Sequence, residues 1–364
     1  MKNVKRFLSL CLVFVMLAAS FASCSSESVV MELEGHKITG GMYGYWLSRY
    51  KALYLYSYAG GSDSASFWDT KLTDTLTAKD LFTSITDENI KKNLVCMYLF
   101  DKYSLKLPDG TKDEIKEKID KLVEDMGGKK EFANYAADFG VDAKLLERIY
   151  LIEEEIEYLR DYLYGANGTE KVTAEQKDKY YNDNYARIRH IFFSTSTQYV
   201  LDGNGSYTFD ADGNKITTTP TDEEINRKKV TATAVHARIE AGESFEELLE
   251  QYTEDEASKT YKNGYYLTST IDYIDEVVDA AFDMEIGEVR LVNSDYGVHI
   301  VKRYALDDKG YENEENKDFF GDFEDLVISE VFQNKLAEYL NDVKVNTEEK
   351  EKYSIVTAKA SLQF

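Results

Sequence analysis

The segment 186–193 reads ARIRHIFF and the segment 295–301 reads DYGVHIV, and these two stretches set the architecture of the centre of the chain. In the first segment, alternating polar and apolar residues give way to a fully apolar run, which is the pattern of a central β-strand. In the second, a Tyr-Gly turn signal precedes another apolar run. Each segment carries one of the four histidines of the chain, His190 and His299. We therefore predict two buried, neighbouring strands with one imidazole each.

The two histidines have both a structural and a catalytic interpretation. A buried imidazole must satisfy both ring nitrogens, so two of them on neighbouring strands commonly bond each other or a nearby hydroxyl group. No third histidine and no nearby cysteine completes a zinc site, and no Gly-rich phosphate loop or G-x-S-x-G motif is present. We therefore expect neither a metal ion nor a cofactor at this pair.

An acidic run at 210–214 suggests oxygen ligands for calcium. An EF-hand loop, however, needs glycine at its sixth position and glutamate at its twelfth. Here Gly213 is fourth and Thr221 is twelfth. The sequence therefore argues against a calcium site.

Helices and strands around the histidines follow from periodicity and turn signals. Thr173 and Gln176 form a capping pattern that opens a short helix running to Tyr181. The Thr-rich stretch 194–220 contains two Asp-Gly turn signals and predicts a hairpin insertion. Further elements are predicted in chain order: helices at 222–241, from 245 onward and at 277–284, then strands at 288–293 and 298–304.

The N-terminal third is predicted to be mainly helical after a short strand and hairpin at 29–39. One helix is expected to start at Thr111, with Glu114 completing a capping pattern, and to stop at the glycine pair 127–128. Another covers 143–164. An aromatic stripe near the start of this third fits either core packing or a binding groove, and the sequence leaves both open: Tyr43, Leu47, Tyr50 and Tyr54.

The C-terminal part is predicted to contain an acidic linker at 307–317, an amphipathic helix at 319–340 and a closing strand at 353–362. We find no internal repeat. The glycine-containing stretch 165–168, which reads GANG, marks the boundary between the N-terminal third and the centre.

Residues 1–23 have the basic start, apolar run and small-residue end of an export signal. A cysteine, Cys24, follows two small residues at the end of the apolar run, as in the bacterial lipobox, where the cysteine thiol becomes lipid-modified. An ordinary cleavable signal with an incidental cysteine is the alternative. Cys11 would leave with the signal, so Cys96 would stay without a disulfide partner, and we predict it to be a buried, inert thiol.

The composition of the chain excludes several classes of protein. The 364 residues include 43 basic and 67 acidic side chains, a formal net charge of -24, which opposes binding to nucleic acid. Apolar residues make up 43%, enough to close a core, so disorder is not the main state. Beyond the first two dozen residues, no run approaches the roughly 20 uncharged residues that span a bilayer, and we expect the body to be soluble.

Five blocks between 189 and 301 resemble, in their order, the parvulin family of peptidyl-prolyl isomerases. They read RHIFF from 189, AGESFEEL from 241, YTED from 252, AAFDMEIGEV from 280 and DYGVHIV from 295. The resemblance covers residues 174–306, with 194–220 as an insertion. It implies an α+β fold, in which an antiparallel or mixed sheet is flanked by helices.

The resemblance also implies roles for particular residues. His190, Asp255 and His299 match the family's active-site positions. The substrate-binding positions for proline would be Tyr273, Val277, Phe282, Ser294 and Tyr296. The chain departs from the family where 263–268 reads NGYYLT, and where Tyr273 and Val277 replace the commoner residues. A remodelled pocket, or a parvulin fold kept for binding only, would follow from these departures.

The whole chain resembles PrsA-type foldase lipoproteins. The implied domains are a signal peptide at 1–23, a tether at 24–28, a chaperone-like helical domain at 29–168, the parvulin domain at 174–306, and a segment 307–364 that packs back on the N-terminal domain. The implied function is isomerisation of X-Pro bonds in unfolded exported polypeptides, outside the cytoplasmic membrane and held there by a lipid anchor. A non-catalytic holdase and a surface ligand-binding lipoprotein are the alternatives. A homodimer through the terminal segments is compatible with this interpretation.

Overall fold

The structure is a computed structural model that describes residues 28–200, 202–203 and 206–362. The predicted signal peptide and Cys24 lie outside these residues. The chain divides into two compact units. The first comprises the chain up to Lys171 together with the chain from Val331 onward, and the second comprises Val172–Glu330.

Helices and strands follow one another along the described residues in three groups. The N-terminal elements are β1 (Val29–Leu33), β2 (His36–Thr39), α1 (Gly40–Tyr58), α2 (Ala65–Trp68), α3 (Ala78–Lys102), α4 (Thr111–Asp125), α5 (Lys129–Ala137) and α6 (Ala143–Tyr164). The central elements are α7 (Ala174–Asn184), β3 (Tyr185–Ser194), β4 (Gln198–Tyr199), β5 (Thr217–Thr218), α8 (Asp222–Glu240), α9 (Phe245–Tyr252), β6 (Tyr265–Thr268), α10 (Asp275–Asp283), β7 (Val289–Asn293) and β8 (Gly297–Tyr304). The last elements are α11 (Phe323–Ala337), β9 (Lys344–Val345) and α12 (Thr347–Lys350).

The first unit contains a three-stranded antiparallel sheet in the order β2-β1-β9. Helices α1 and α3 pack against this sheet, and α6 packs against both helices. The turn between β1 and β2 is made by Glu34 and Gly35, both with positive φ. Cys96 is 1% exposed in α3, and burial raises the pKa of its thiol. The predictions of a hairpin at 29–39 and of a buried thiol are confirmed.

Two predictions about the first unit are wrong. Helix α4 begins at Thr111 as predicted, but the capping pattern with Glu114 is absent: the cap is Gly110, in a left-handed conformation with φ of 98°, and Thr111 donates its hydroxyl proton to the carbonyl oxygen of Pro108 at 3.0 Å. Residues 353–362 form no strand. Their carbonyl groups at Val356 and Ala358 are bound by the side chain of Lys51, and the strand that pairs with β1 is β9.

The second unit is built on a four-stranded antiparallel sheet in the order β6-β3-β8-β7. One face carries Ile188 and Val301 and is covered by α10; the other carries Ile191 and Ile300 and is covered by α8 and α9. Because side chains alternate along a strand, His190 and His299 belong to the face of Ile188 and Val301. Helices packed on an antiparallel sheet confirm the predicted α+β class.

Local predictions in the second unit succeed at the helix cap and the hairpin. Thr173 and Gln176 form a reciprocal capping box, although the helix continues to Asn184 instead of ending at Tyr181. Strands β4 and β5 pair antiparallel, so the insertion at 194–220 is a hairpin. The predicted order lacked β6, which pairs with β3.

The acidic stretch 307–317, predicted as a linker, is part of the second unit. It forms two short 3-10 turns, Gly310–Glu312 and Glu314–Phe319. The buried Asn316 donates to the hydroxyl oxygen of Tyr266 at 3.1 Å and to the carbonyl oxygen of Gly310 at 3.1 Å. The division between the two units falls later, between Glu330 and Val331 inside α11.

Among the residues that the structure describes, no helix is both long and apolar enough to cross a membrane.

Candidate active site

The centre of the candidate site is a buried pair of imidazoles. His190 in β3 is 2% exposed and His299 in β8 is 0% exposed. The register pairs His190 with Val301 and Phe192 with His299, so the two histidines are diagonal neighbours across the strands. Their Nδ1 atoms lie 3.1 Å apart and their ring planes differ by 4°. The strand pairing thus places two imidazoles edge to edge in nearly parallel planes.

Asp255 binds the inner end of this pair. It follows α9 and caps the 3-10 turn Glu256–Lys259, with Oδ1 accepting from the backbone N–H of Ala257 at 3.1 Å. Its Oδ2 atom lies 3.0 Å from Nε2 of His190 and also accepts a hydrogen bond from the hydroxyl of Tyr265. Burial alone would raise the pKa of Asp255, but its bonds to His190 and Tyr265 outweigh burial and lower it. Asp255 is therefore a carboxylate at neutral pH.

Ser294 binds the outer end of the pair. Its hydroxyl oxygen lies 2.9 Å from Nε2 of His299, and it accepts a hydrogen bond from the backbone N–H of Tyr296 at 3.2 Å. Both Ser294 and Tyr296 lie in the tight turn between β7 and β8, where the backbone N–H of Ser294 donates to the carbonyl oxygen of Gly297. The turn therefore fixes the position of the hydroxyl group.

The charge state of His299 sets the direction of these hydrogen bonds. Burial, followed by the neighbouring His190, lowers the pKa of His299 to about 3, although Asp255 opposes this effect. Where His190 is neutral as well, it donates from Nε2 to Asp255 and accepts at Nδ1 from His299. Nε2 of His299 then accepts from the hydroxyl of Ser294. The result is a polarised series of hydrogen bonds that runs from Ser294 through both imidazoles to Asp255.

The predicted substrate-binding residues lie in different environments. Val277 is 0% exposed and packs in the core with Ala281 and Val301, so a ligand does not reach it. Tyr273 and Phe282 are half-buried against the same cluster. Ser294 is part of the hydrogen-bonded series, and Tyr296 beside it is 56% exposed. The structure therefore brings Ser294 to the histidines and places Val277 behind the site.

Sequence reasoning missed several residues of the site. Tyr265 was noticed only as a departure from the family pattern, yet it bonds Asp255 and its ring lies 5.4 Å from that of His190, edge to face. The ring of Phe192 stacks on His299, with centroids 4.6 Å apart. Thr253 accepts at its hydroxyl oxygen from the backbone N–H groups of Phe192 and Asp255, both at 3.2 Å. The adjacent tyrosines at 265 and 266 were the one sequence signal for this part of the site.

A second contact ties the loop before Asp255 to the end of β3. Glu254 accepts from the backbone N–H of Ser194 at 2.8 Å and pairs with Lys228 of α8 at 2.7 Å. Lys228 also donates to the carbonyl oxygen of Ser194.

Over the described part of the chain, no cluster of three or more His, Cys, Asp or Glu side chains is arranged to hold a metal ion.

Comparison with known proteins identifies the domain that carries this site. Residues 171–305 match the family model of the PPIC-type PPIase domain. The segment is a parvulin-type domain. The resemblance inferred from the five sequence blocks is therefore confirmed for this part of the chain.

Similar proteins with curated names match about a third of the chain. The foldase protein PrsA of Geobacillus kaustophilus is 33% identical over 107 residues, which are 29% of this chain and 35% of the relative. The foldase protein PrsA of a second Geobacillus strain, WCH70, is 27% identical over 33% of this chain and 45% of the relative. The matches thus span less than half of these relatives. A crystal structure of PrsA from Bacillus subtilis, 22% identical, aligns over 83% of this chain and 94% of that one, with a TM-score of 0.24.

Proposed function

We propose that the chain is a peptidyl-prolyl cis-trans isomerase of the parvulin class that assists the folding of exported polypeptides. The observation that carries the proposal is the buried imidazole pair of His190 and His299, bonded at its two ends by Asp255 and Ser294, inside a parvulin-type domain. The matching relatives are named foldases, which agrees with this activity. The proposed partners are unfolded polypeptides that contain X-Pro bonds.

The reaction is a rotation about an amide bond. The barrier is about 18–20 kcal/mol, and the uncatalysed step takes roughly 10–100 s. No bond to the substrate needs to form or break. The protein accelerates rotation by binding the twisted amide more tightly than the planar one. Because the twisted amide has lost its resonance, it is less polar, and apolar surroundings favour it over the planar form.

Apolar side chains around the histidines supply such surroundings. Phe192 covers His299, and Tyr273 lies beside Tyr265, with ring centroids 5.9 Å apart. In the proposal, Tyr273, Phe282 and Tyr296 contact the proline and its neighbours. Val277 supports them from the core.

The histidines then act as positioning residues. Both imidazoles are buried, whereas Ser294 is half-buried and the side chain of Asp255 is 15% exposed. The fixed series therefore presents an oriented hydroxyl group at one end and a carboxylate at the other. Because the series is fixed in advance, the side chains around the turning amide do not have to reorganise during the reaction.

Export and anchoring complete the proposal. Cleavage before Cys24 and lipid modification of its thiol would hold the protein on the outer face of the cytoplasmic membrane. Mass spectrometry of the membrane-bound protein tests this, and a Cys24→Ala variant should be released from the membrane.

A homodimer through the terminal segments stays a prediction, which sedimentation analysis checks.

The foldase activity is tested by the refolding of a small protein whose slow phase is limited by a prolyl isomerisation. The mature chain should accelerate that phase. His190→Ala should abolish the acceleration, while His236→Ala, on α8 and outside the site, should keep it. Suppression of aggregation that is equal in all three proteins, without acceleration in any of them, would instead favour the holdase.

A further inference from the structure

Lys51 of α1 is completely buried, at 0% exposure. Its ammonium group donates to the carboxylate of Asp63 at 2.7 Å and to the carbonyl oxygens of Val356 and Ala358, both at 2.8 Å. An ammonium group has three N–H donors, and a buried one is stable only when they are all satisfied. Two of the three acceptors are thus backbone groups of a segment more than 300 residues away.

We call residues 353–362 the strap. It contains neither helix nor strand. Ile355, at 1% exposure, and Ser361, at 9%, are its buried residues, and the other eight are half-buried or exposed. The hydroxyl oxygens of Ser361 and Tyr135 lie 2.6 Å apart. The backbone N–H of Ser361 donates to the carbonyl oxygen of Ser48 at 3.4 Å. The strap is therefore held by its backbone, by one hydroxyl group, by the buried side chain of Ile355, by an exposed ion pair of Lys359 and by the ring of Tyr353, whose centre lies 5.2 Å from that of Tyr43.

The surface beneath the strap is a groove along α1. We call it the α1 groove; it is lined by Gly44, Leu47 and Ser48 of α1 and by Phe139. A methyl group at Gly44 would come within 3.5 Å of the ring of Tyr353, so the strap approaches the helix closely there. A cavity of about 470 Å³ nevertheless remains between the strap and these residues. The strap covers the groove without filling it.

One turn further along α1 than Ser48, the side chain of Lys51 is held by residues that do not belong to the strap. The indole N–H of Trp68 donates to Asp63 at 2.8 Å, and Nζ of Lys51 lies 5.5 Å from the centre of the Trp68 ring. Trp68 is 1% exposed. Lys51 is thus fixed by Asp63 and Trp68, and its remaining donors are aimed at the strap carbonyl groups of Val356 and Ala358.

We propose that the α1 groove is a binding site for extended polypeptide segments and that the strap occupies it as an exchangeable internal ligand. Carbonyl groups are present in every polypeptide, so recognition by Lys51 is independent of sequence apart from one apolar side chain in the position of Ile355. Because a buried ammonium group is costly to leave unpaired, the strap leaves only when another segment replaces it. This site lies in the first unit and does not depend on isomerase activity.

Hydrogen exchange on the mature chain tests the replacement. The probe is reduced and carboxymethylated lysozyme, a permanently unfolded polypeptide. At saturating probe, the amides of the strap should exchange at least about tenfold faster, while those of β3 and β8 keep their rates. Unchanged strap protection at saturation, or no binding of the probe at any concentration, overturns the proposal.

Two substitutions give effects of opposite sign on affinity for the probe, measured by fluorescence anisotropy. Ile355→Ser weakens the strap and leaves the groove intact, so it should raise the affinity at least about threefold. Lys51→Met removes the donor that recognises the backbone, so it should lower the affinity at least about tenfold. If the strap were only a structural segment, Ile355→Ser would leave the affinity unchanged or reduce it, and this result alone overturns the proposal even if Lys51→Met fails to fold.

Lys359→Gln is the matched control, because it removes only the ion pair between the strap and Asp138, which is exposed to water and therefore contributes little to holding the strap. Its affinity for the probe should equal that of the parent chain. Turnover of a short X-Pro peptide should be the same in all these variants. Conversely, His190→Ala should lose turnover and keep strap exchange, so failure of the groove and failure of the isomerase site are distinguishable.

Discussion

The Nδ1 atoms of His190 and His299 face each other at 3.1 Å in nearly parallel rings. Two such nitrogens can share only one proton between them, so the hydrogen-bonding state of one imidazole dictates that of the other. The carboxylate of Asp255 selects the direction on the His190 side, and the hydroxyl of Ser294 matches it on the His299 side. The pair is therefore one unit whose function depends on both ends.

Ser294→Ala should weaken catalysis without unfolding the domain. The substitution removes the donor to Nε2 of His299 and leaves that nitrogen without its partner at 2.9 Å. Since a lost bond of this kind costs about 1–3 kcal/mol, kcat/KM for an X-Pro peptide should fall roughly 5- to 150-fold. An unchanged kcat/KM would show that the outer end of the series plays no part.

Tyr265→Phe should raise the pKa of Asp255, because it removes a hydroxyl group that stabilises the carboxylate. The acid limb of the pH profile of kcat/KM should move to higher pH. Tyr261→Phe is the matched control, since that hydroxyl lies at the surface and bonds Asp318 at 3.4 Å instead. Identical pH profiles for the two variants would contradict the assigned role of Tyr265.

Stability should fall as the pH drops below about 6.5. Burial lowers the pKa of His299 from 6.5 to about 3, so in that window the unfolded chain binds a proton that the folded chain does not. The free energy of unfolding should therefore decrease by up to about 1.4 kcal/mol per pH unit. The lowered pKa of Asp255 adds a further loss at still lower pH, as its carboxylate becomes protonated.

Urea unfolding at a series of pH values, followed by circular dichroism, measures this slope. His299→Asn keeps one donor and one acceptor but cannot take up the proton, so its slope should be shallower. A slope that is the same in both proteins would contradict a buried neutral His299.

Gly264→Ala should destabilise the second unit strongly. Gly264 has φ of 95°, and an added Cβ would come 2.3 Å from the carbonyl oxygen of Ile188, where β6 joins β3. We expect a loss of about 3 kcal/mol in unfolding free energy. Gly213→Ala, with φ of 84° and open space around it, should cost only about 1 kcal/mol in the same assay. Equal costs would show that the contact with Ile188 is unimportant.

The sequence predicted the parts of the site that depend on local pattern. The apolar runs of β3 and β8 were sufficient to place His190 and His299 on neighbouring buried strands. Strand β6 was missed because it has only four residues, and the role of Tyr265 depends on its pairing with Ile188. The strand predicted at 353–362 was wrong because a lysine over 300 residues earlier binds carbonyl groups of that segment. Contacts of this range leave no local pattern in a single sequence.

A protease-coupled isomerisation assay on short X-Pro peptides decides whether the histidine pair serves an active isomerase. It compares the mature chain with its His190→Ala, Asp255→Ala and His299→Ala variants, each shown to be folded by circular dichroism. We expect acceleration by the parent chain and a loss of at least about tenfold in kcat/KM in every variant. A folded parent chain that gives no acceleration over the uncatalysed rate, or variants that keep full activity, would refute the isomerase proposal.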